Sequence, residues 1–338
     1  MKNLYVISGM TGMTGNELAR QVLKKGHSVI GFDNFFASTT DVVEDILADT
    51  ELCFFEGDIN DETKMQYLEE MVNGRKSDYQ EIIYINCAAV VHTEYFYEPE
   101  ATFQTNVLGM KYFLEQAERV GADVFINCST SEVYSMQSWK DGGVSEEDYI
   151  LLATAEHSQR TSYAAGKLLT EFFMKDAVEK GKIRGCSLRF ANVYSNHELY
   201  PKHILPHIIT SLIKEQKVVL LENSRENKRT FLHNYDSCAA VLAVAGSNKE
   251  KVLDGSVYNV ATEEEVSILE LVDKCAKALK LKKYDIEFQG YRTADPQRRV
   301  LSAGKIREAA GWEPKISLDE GITMCVSHYK ESLAGRCK

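Results

Sequence analysis

A tyrosine and a lysine at helical spacing are the residues of this chain best placed for acid–base chemistry. Tyr163 and Lys167 lie near the start of a predicted helix over 161–178 and face the same side of it. A phenol has an unperturbed pKa of about 10, and a neighbouring ammonium favours the phenolate and lowers that pKa. Tyr163 could then take a proton from a substrate hydroxyl while a cofactor takes the hydride. Because an isolated pair of this kind is usually a surface feature, the interpretation depends on the sequence upstream.

The amino-terminal segment has the order of elements that a dinucleotide site requires. An apolar strand at 4–7 runs into Gly9, Gly12 and Gly15, and a predicted amphipathic helix follows at about 17–25. The glycines permit a tight turn and close approach of the backbone, and the amino terminus of the helix faces a pyrophosphate. We therefore expect a dinucleotide to bind at this turn.

An acidic residue ends the second predicted strand. The apolar run 28–32 leads directly into Asp33, where a carboxylate accepts hydrogen bonds from the adenosine ribose hydroxyls. Arginine and lysine are absent from 34–40, so a 2′-phosphate at this position would be repelled. The sequence therefore predicts that NAD is preferred over NADP.

Strands alternate with helices through the first half of the chain. This order predicts an α/β fold with a Rossmann-type, doubly wound parallel sheet, whose ligand lies at the carboxyl ends of the strands. The later elements are shorter, which predicts a smaller carboxy-terminal substrate-binding lobe. We expect an NAD-binding domain over 1–185 and a partly interleaved lobe over 186–338. Further strands are predicted at 53–59, 81–86, 124–127, 184–194 and 218–221, and further helices at 62–72, 101–120, 268–279, from about 203 and from about 318.

Small and polar residues follow the predicted strands at the edge where a ligand should bind. The segment 130–132, Thr-Ser-Glu, comes just after the fifth strand, where hydroxyls and a carboxylate can hydrogen-bond a substrate hydroxyl and move a second proton. A Ser/Thr-rich turn without chemistry is the alternative for this segment. Asp58 ends the third strand near an expected adenine amino group, and the small Ala88 and Ala89 would let the backbone approach the cofactor.

Charge and composition exclude several classes of partner. The formal charge of −11 disfavours nucleic acid and anionic membranes. No stretch approaches the roughly 18 apolar residues of a membrane span, and the first residues do not resemble a signal peptide, so we expect a cytoplasmic protein. The eight cysteines form no Cys-x-x-Cys pair and predict free thiols. His203 and His207 are four residues apart, but Pro206 is expected to interrupt their helix and no third ligand lies at a familiar spacing, so no metal site is predicted.

Taken together, these motifs resemble the NAD-dependent epimerase/dehydratase family of extended short-chain dehydrogenases/reductases, which acts on nucleotide sugars. The resemblance implies that Tyr163 is the base, that Lys167 tunes it and holds the nicotinamide ribose, and that Thr130 hydrogen-bonds the sugar 4-hydroxyl. It covers nearly the whole chain. The matching motifs are Gly9/Gly12/Gly15, Asp33, Asp58-Ile59, Ala88-Ala89, Pro99, 106–109, 129–134, Tyr163/Lys167, 189–194, Arg229 and 311–314.

The resemblance also implies an assembly and a set of binding residues. Helices matching 107–120 and 163–178 pair two subunits of this family into a homodimer through a four-helix bundle. The cofactor, NAD, would contact Gly9, Gly12, Met13, Thr14, Gly15, Asp33, Asn34, Asp58, Ile59, Ala88, Ala89, Asn106, Tyr163 and Lys167. The nucleotide-diphosphate sugar would contact His92, Ser131, Asn192, Leu205, Arg229 and Arg299.

The reaction expected from the resemblance depends on Glu132. Enzymes of the family oxidise C4 of the sugar, work on the 4-keto intermediate and return the hydride. Thr-Ser-Glu at 130–132 is similar to the segment in GDP-mannose-type 4,6-dehydratases and UDP-glucuronate decarboxylases, whereas simple 4-epimerases more often lack the glutamate. A 4-ketone acidifies the C5 proton, which Glu132 could remove, or Glu132 could protonate an enol. A sugar-nucleotide 4,6-dehydratase is therefore expected, with a decarboxylase, a 4-epimerase and a non-catalytic NAD-sensing protein as alternatives.

Overall fold

The computed structural model describes residues 2–136, 142–198, 200–247 and 249–335. Its strands are β1 (Leu4–Ser8), β2 (Ser28–Asp33), β3 (Leu52–Glu56), β4 (Ile82–Asn86), β5 (Val124–Thr130), β6 (Arg184–Phe190), β7 (Asn192–Tyr194), β8 (Lys217–Leu220), β9 (Lys228–His233), β10 (Asp254–Val260), β11 (Glu265–Ser267), β12 (Asp285–Phe288) and β13 (Arg298–Arg299). Its helices are α1 (Met13–Lys24), α2 (Glu62–Asn73), α3 (Pro99–Thr102), α4 (Met110–Val120), α5 (Thr161–Glu179), α6 (Ile204–Glu215), α7 (Asn234–Ala245), α8 (Lys249–Val252), α9 (Ile268–Leu279), α10 (Gly304–Ala310) and α11 (Leu318–Leu333).

A seven-stranded parallel sheet forms the centre of the molecule. Its strand order is β10-β6-β5-β4-β1-β2-β3, so the winding direction reverses between β1 and β4. Alternate residues of β1 point to opposite faces of the sheet. Tyr5 and Ile7 pack with α1, α7 and α10 on one face. Leu4 and Val6 pack with α2, α4 and α5 on the other face. The predicted doubly wound α/β fold is therefore confirmed. In such a sheet, a ligand binds beside the carboxyl ends of the strands where the winding reverses.

A second apolar core lies in the carboxy-terminal half. Helices α6, α9 and α11 pack there against β8 and β9, and β9 pairs with β7, β11 and β13 in a small separate sheet. The sequence pattern did not reveal that β10 returns to the edge of the large sheet beside β6. The domain boundary near residue 185 stays a prediction. Strands of the large sheet lie on both sides of this boundary, so the two predicted domains share that sheet. Among the described residues, no helix has both the length and the apolar content that crossing a bilayer requires.

The single strand predicted over 184–194 is wrong, because the chain changes sheets within it. β6 belongs to the large sheet, and β7 pairs with β9 in the small one. The break falls at Ala191, whose N–H donates to the carbonyl of Val260 at the end of β10. This change of sheet brings Asn192 to the boundary between the two cores.

A buried ion pair fixes α5 against the sheet. Arg189 in β6 donates to both carboxylate oxygens of Glu171 in α5, at 2.9 and 2.6 Å, and both side chains are only 5% exposed. The Ser129 hydroxyl in β5 donates to the same carboxylate at 2.6 Å, and Arg189 also donates to the hydroxyl of Tyr134. The network therefore sets the position of the end of β5 relative to the middle of α5.

Glu171→Gln should lower the free energy of unfolding by about 3–5 kcal/mol, because it leaves the Arg189 guanidinium buried without a counter-charge. Urea unfolding followed by circular dichroism measures the change. The matched control is Glu179→Gln at the end of the same helix, where an exposed pair with Lys175 at 3.5 Å should contribute less than about 1 kcal/mol. Equal, small effects of the two substitutions would show that the buried pair does not stabilise the fold.

Candidate active site

A cavity of about 480 Å³ lies at the carboxyl ends of the large sheet and extends to the carboxy-terminal core. It brings together most of the residues predicted from the sequence, including the whole proposed catalytic set. The predicted residues that line it are Gly9, Gly12, Met13, Thr14, Gly15, Ala89, His92, Thr130, Ser131, Glu132, Tyr163, Lys167, Asn192, Leu205, Arg229 and Arg299.

Several predicted cofactor residues lie outside this lining, and some of their side chains bind other parts of the protein. Asn106, in a π-helical segment before α4, binds both backbone groups of Val90 at 2.7 and 3.1 Å and so fixes the loop after β4. Asp58 accepts a hydrogen bond from Asn34 at 2.6 Å. Their contact with the cofactor stays a prediction. The residues outside the lining are Asp33, Asn34, Asp58, Ile59, Ala88 and Asn106.

The glycine turn after β1 fits a dinucleotide pyrophosphate. Gly9 has a φ of 64°, and a Cβ on Gly15 would lie 2.2 Å from the Gly9 carbonyl oxygen, so neither position tolerates a side chain. Because Gly15 packs directly on the turn, α1 begins at Met13 and not at the predicted residue 17. Gly12 is the N-cap, no side chain caps the helix, and its first turn has no acidic residue. The first backbone N–H groups of α1 are therefore available to an anion.

Asp33 connects the end of β2 to the glycine turn. Its Oδ2 accepts the N–H of Thr11 at 3.0 Å, and its Oδ1 accepts the N–H of Phe35 at 2.8 Å. A carboxylate oxygen has more than one lone pair, so Asp33 can still accept from ribose hydroxyls while it holds the turn. The same negative charge would oppose a 2′-phosphate.

The protein should bind NAD at least about tenfold more tightly than NADP, because about 1.4 kcal/mol of repulsion from Asp33 is enough for that ratio. Asp33→Ser should reduce the ratio of the NAD affinity to the NADP affinity. It should also lower the melting temperature, since it leaves the Thr11 N–H without its acceptor. Isothermal titration calorimetry with both cofactors measures the effect, and Asp41→Ser at an exposed position nearby is the control. Equal or tighter binding of NADP by the unaltered protein would contradict the interpretation of Asp33.

Tyr163 and Lys167 both reach the cavity from α5, but their titration differs from the expectation. The Tyr163 ring stacks on Phe96, with centroids 4.0 Å apart and an interplanar angle of 10°. Burial, together with the charge of Glu132, raises the pKa of the Tyr163 phenol, and a hydrogen bond with Thr130 offsets only part of that rise. Burial also lowers the pKa of the Lys167 ammonium. The predicted lowering of the Tyr163 pKa is therefore wrong for the chain without its cofactor.

Glu132 lies beside this pair and accepts hydrogen bonds from two arginines. Its Oε1 accepts from Arg299 Nη1 at 2.6 Å and from Arg160 Nη2 at 3.3 Å. Burial alone would raise the pKa of the Glu132 carboxyl, but the guanidinium groups of Arg299 and Arg160 outweigh burial and lower that pKa to about 2. Glu132 is thus a carboxylate at neutral pH. Its Oε2 has a longer contact, 3.4 Å from Arg299 Nη2, which makes it the oxygen better placed to accept a further proton.

Arg160 and Phe96 are site residues that the sequence analysis missed. Arg160 immediately precedes α5, and its guanidinium lies 5.0 Å from the centroid of the Phe96 ring that stacks on Tyr163. The available signal was spacing, because Arg160 stands three residues before Tyr163 and so close to one helical turn away. Phe96 lies in a segment without helical or strand periodicity, so its position could not be inferred.

Arg160→Ala should shift the acid limb of the pH–rate profile to higher pH. Loss of one guanidinium should raise the pKa of Glu132 from about 2 by about 1–3 units. Because the pKa of folded Glu132 lies below its ordinary value, its contribution to stability is present above the unfolded pKa and is lost as the pH falls from there to the folded pKa. In the variant the folded pKa is higher, so this contribution is smaller and its loss is complete at a higher pH. Profiles of kcat/KM and urea unfolding at several acidic pH values measure both effects. Arg160→Lys keeps the charge and should stay close to the unaltered protein, whereas superimposed profiles for Arg160→Ala would exclude this role.

Polar residues also line the wall formed by the carboxy-terminal half. Arg229 in β9 binds Asp295 at 3.1 Å, and burial lowers the pKa of Arg229 to about 10, so it remains charged at neutral pH. Asn192 donates to a backbone carbonyl of β9 at 2.9 Å. His92 stacks on Tyr200, with ring centroids 4.1 Å apart. Arg229, Asn192 and His92 all line the same cavity as the catalytic set.

The structure corrects the prediction that Pro206 interrupts its helix. Pro206 lies in the first turn of α6, where its missing N–H would have no intrahelical partner, and the helix continues unbroken to Glu215. His203 pairs with Glu198, and His207 Nε2 contacts a backbone carbonyl of β8 at 2.8 Å. Within the described ranges, no group of three or more His, Cys, Asp or Glu side chains is arranged to hold a metal ion.

The glycine turn lies where the doubly wound sheet reverses, and Thr130, Tyr163 and Lys167 line the same cavity. This combination defines a dinucleotide-dependent enzyme of the short-chain dehydrogenase/reductase class. Residues 6–325 match the family model described as GDP-mannose 4,6 dehydratase, and the chain belongs to this family. The family predicted from the sequence motifs is thereby confirmed, and with it the expectation of an NAD-dependent enzyme.

Individual relatives include more than one branch of this chemistry. The chain is 27% identical over 286 residues to a mouse (Mus musculus) dTDP-D-glucose 4,6-dehydratase, covering 82% of this chain and 74% of the relative. It is 24% identical over 333 residues to UDP-glucuronic acid decarboxylase 1 of Arabidopsis thaliana, covering 97% and 70%. A dTDP-glucose 4,6-dehydratase from Streptomyces venezuelae, solved with NAD bound, superimposes with a TM-score of 0.84 at 22% identity, covering 98% of each chain.

Proposed function

We propose that this protein is an NAD-dependent nucleotide-sugar 4,6-dehydratase, which converts a nucleotide hexose into its 4-keto-6-deoxy form with loss of water. The observation that supports this function best is the ionised carboxylate of Glu132 in the same cavity as Thr130 and Tyr163. A 4-epimerase needs no second proton acceptor, whereas a dehydratase must remove the C5 proton. The names of the matched family and of the mouse relative agree with this choice.

The residues present fit NAD. The amino terminus of α1 would hold the pyrophosphate, Asp33 the adenosine ribose and Lys167 the nicotinamide ribose. When bound, NAD would supply the acceptor for the C4 hydride and the donor that returns this hydride to C6, and the positive charge of its nicotinamide would favour the Tyr163 phenolate. Because burial raises the pKa of the free phenol, this charge and that of Lys167 are needed for Tyr163 to act as a base.

Oxidation at C4 is assigned to Tyr163 and Thr130. Tyr163 takes the proton of the sugar 4-hydroxyl, and the Thr130 hydroxyl, which hydrogen-bonds the phenol, orients the sugar oxygen. The stack of Phe96 on Tyr163 keeps the ring in place and excludes water from one of its faces. The product of this step is the 4-keto sugar.

Elimination is assigned to Glu132. The 4-ketone acidifies the C5 proton, which Oε2 of Glu132 accepts. The same carboxyl group then delivers that proton to the C6 hydroxyl, which leaves as water. Glu132, recharged with a proton from solvent, would protonate C5 as the hydride returns to C6, and Tyr163 would release the 4-hydroxyl proton to solvent. One water is thus lost, and the cofactor would end in its starting oxidation state. Arg299 and Arg160 act as positioning residues, since they hold Glu132 through its other oxygen.

Decarboxylation of a nucleotide glucuronate is the second candidate. The Nε atoms of Arg160 and Arg299 are both buried and have no hydrogen-bond partner among the described residues. Two such donors beside Glu132 would bind a C6 carboxylate. Loss of carbon dioxide from a 4-keto acid needs no base at C5, so Glu132 would instead take up a proton from solvent and pass it to C5 of the resulting enolate.

Product analysis separates these candidates. The protein, loaded with NAD, is incubated with UDP-, GDP-, CDP- and dTDP-hexoses and with UDP-glucuronate, and the products are analysed by mass spectrometry. The proposed dehydratase removes one water from a hexose. Loss of carbon dioxide from UDP-glucuronate would favour the decarboxylase, and an isomer of unchanged mass the 4-epimerase. NAD binding without turnover of any substrate would favour a non-catalytic NAD-sensing protein.

We further propose a cytoplasmic homodimer. Tyr112 on α4 and Leu169 and Phe172 on α5 expose apolar side chains, and Phe172 is 64% exposed. A stripe of this kind on two neighbouring helices supports pairing with a second copy through a four-helix bundle. A monomeric mass in light scattering would contradict the dimer.

A further inference from the structure

Two cysteines meet on the floor of the active-site cavity. Cys87 directly follows β4 and Cys128 lies in β5, and the parallel pairing of Asn86 with Asn127 brings them side by side. Their Sγ atoms are 3.8 Å apart and share a hydrogen bond. Both side chains are partly exposed and both line the cavity, whereas Cys186 and Cys238 are fully buried.

We propose that Cys87 and Cys128 are a modification site, a dithiol that a hydroperoxide closes to a disulfide and that a thiol reductant reopens. A disulfide requires the sulfurs to approach from 3.8 Å to about 2.05 Å. Side-chain rotation and a small shift of two neighbouring strand ends supply this distance, because the backbones are already adjacent in the sheet. In a reducing compartment such a bond is transient, as expected of a regulatory disulfide.

Cys128 is assigned as the sulfur that attacks the peroxide. The contact with Cys128 and burial raise the pKa of Cys87, so Cys87 is assigned as the thiol that closes the bond in the second step. Lys167 lies close enough to both sulfurs to interact with them electrostatically.

The reaction balances with hydrogen peroxide as the two-electron oxidant. The Cys128 thiolate attacks one peroxide oxygen, the O–O bond breaks, and a sulfenic acid forms while the released hydroxide takes up a proton. The Cys87 sulfur then attacks the sulfenic sulfur. The S–S bond forms, the S–O bond breaks, and the hydroxyl leaves as water with the Cys87 proton. Two thiols and one peroxide thus give one disulfide and two waters.

The disulfide should switch off the enzyme, an effect that rests on the proposed function. Thr130 lies two residues after Cys128, and Ala88 and Ala89 directly follow Cys87. Closing the bond draws these two strand ends together beneath Lys167. A misplacement of about 1 Å at a reacting centre can cost about 10²-fold in rate, so we expect kcat/KM to fall at least about tenfold.

Peptide mapping tests the site without any substrate. The full-length protein is treated with hydrogen peroxide, alkylated, digested and analysed under non-reducing conditions. We expect a peptide pair linked through Cys87 and Cys128 that disappears with dithiothreitol. The partly exposed Cys53 on β3 should remain free in the same sample, so Cys53→Ser should still form the bond. Cys128→Ser and, separately, Cys87→Ala should not form it, and circular dichroism checks that both variants fold.

The outcomes distinguish this inference from the proposed function. Free Cys87 and Cys128 after peroxide, or their oxidation to sulfinic acid without a crosslink, would overturn the modification site. A crosslink that leaves both NAD affinity and turnover unchanged would overturn the proposed loss of activity on oxidation. For this test, the oxidised form of each protein is compared with the reduced form of the same protein. Because the mapping needs no nucleotide sugar, a crosslink in a protein without dehydratase activity would contradict only the proposed function.

Discussion

Tyr163→Phe should lower kcat/KM by about 10²–10⁴-fold, the loss typical of a removed general base. The substitution deletes one oxygen atom and keeps the ring that stacks on Phe96 at 4.0 Å. The lost hydrogen bond with Thr130 is between neutral groups and should change the free energy of unfolding by only about 1 kcal/mol. A large loss of rate without a large loss of stability is therefore the expected combination.

Stopped-flow absorbance of NADH after addition of a nucleotide sugar measures hydride transfer directly, and a thermal melt measures stability. Tyr112→Phe is the matched control, since its ring is exposed on α4 and should leave the rate unchanged. Turnover of the Tyr163→Phe variant at the unaltered rate would remove this residue from the mechanism.

Glu132→Gln should stop the reaction after C4 oxidation and lower product formation by about 10²–10⁴-fold. Glutamine keeps the shape of the side chain but cannot accept the C5 proton. The charge of Glu132 raises the pKa of Tyr163, so its removal should not impair the first proton transfer. We therefore expect NADH to accumulate on addition of substrate, with neither product nor exchange of the C5 hydrogen with deuterated solvent.

Stability has to be measured on the same variant, because Glu132→Gln leaves Arg299 and Arg160 without their shared carboxylate. Breaking a buried ion pair lowers the free energy of unfolding by about 3–5 kcal/mol. Accumulation of NADH would show that the variant still folds, because an unfolded protein would bind no NAD and form no NADH. Ser135→Ala, at a buried position of the same segment outside the cavity lining, is the control for local disturbance. A Glu132→Gln variant that loses stability but keeps its product would assign Glu132 a purely structural role.

The parts of the site that lie on one element were predictable from the sequence. Gly9, Gly12 and Gly15 and the helix after them are contiguous, so the order of elements is sufficient to predict the turn. Tyr163 and Lys167 are separated by one turn of α5, and helical geometry alone brings them to one side. Parallel strands end at a common edge, which is why Thr130 and Ala89 could be expected near the turn.

The parts that depend on long-range packing were not predictable. Arg299 reaches Glu132 from a strand 167 residues further along the chain, and no periodicity encodes that approach. The sign of the Tyr163 pKa shift was wrong because spacing reveals the ammonium of Lys167 but not the burial that outweighs it. The change of sheet at Ala191 was missed for a similar reason, since only one residue separates β6 from β7 and their partner strands lie far away in sequence.

The most direct test of the proposed dehydratase is the reaction of the unaltered protein with its preferred nucleotide hexose in deuterated water. The proposed role of Glu132 predicts a product that has lost one water and contains one solvent-derived deuterium at C5, as read by mass spectrometry and NMR. An isomer of unchanged composition with no deuterium at C5 would contradict elimination and leave the C4 epimerase as the account of this site.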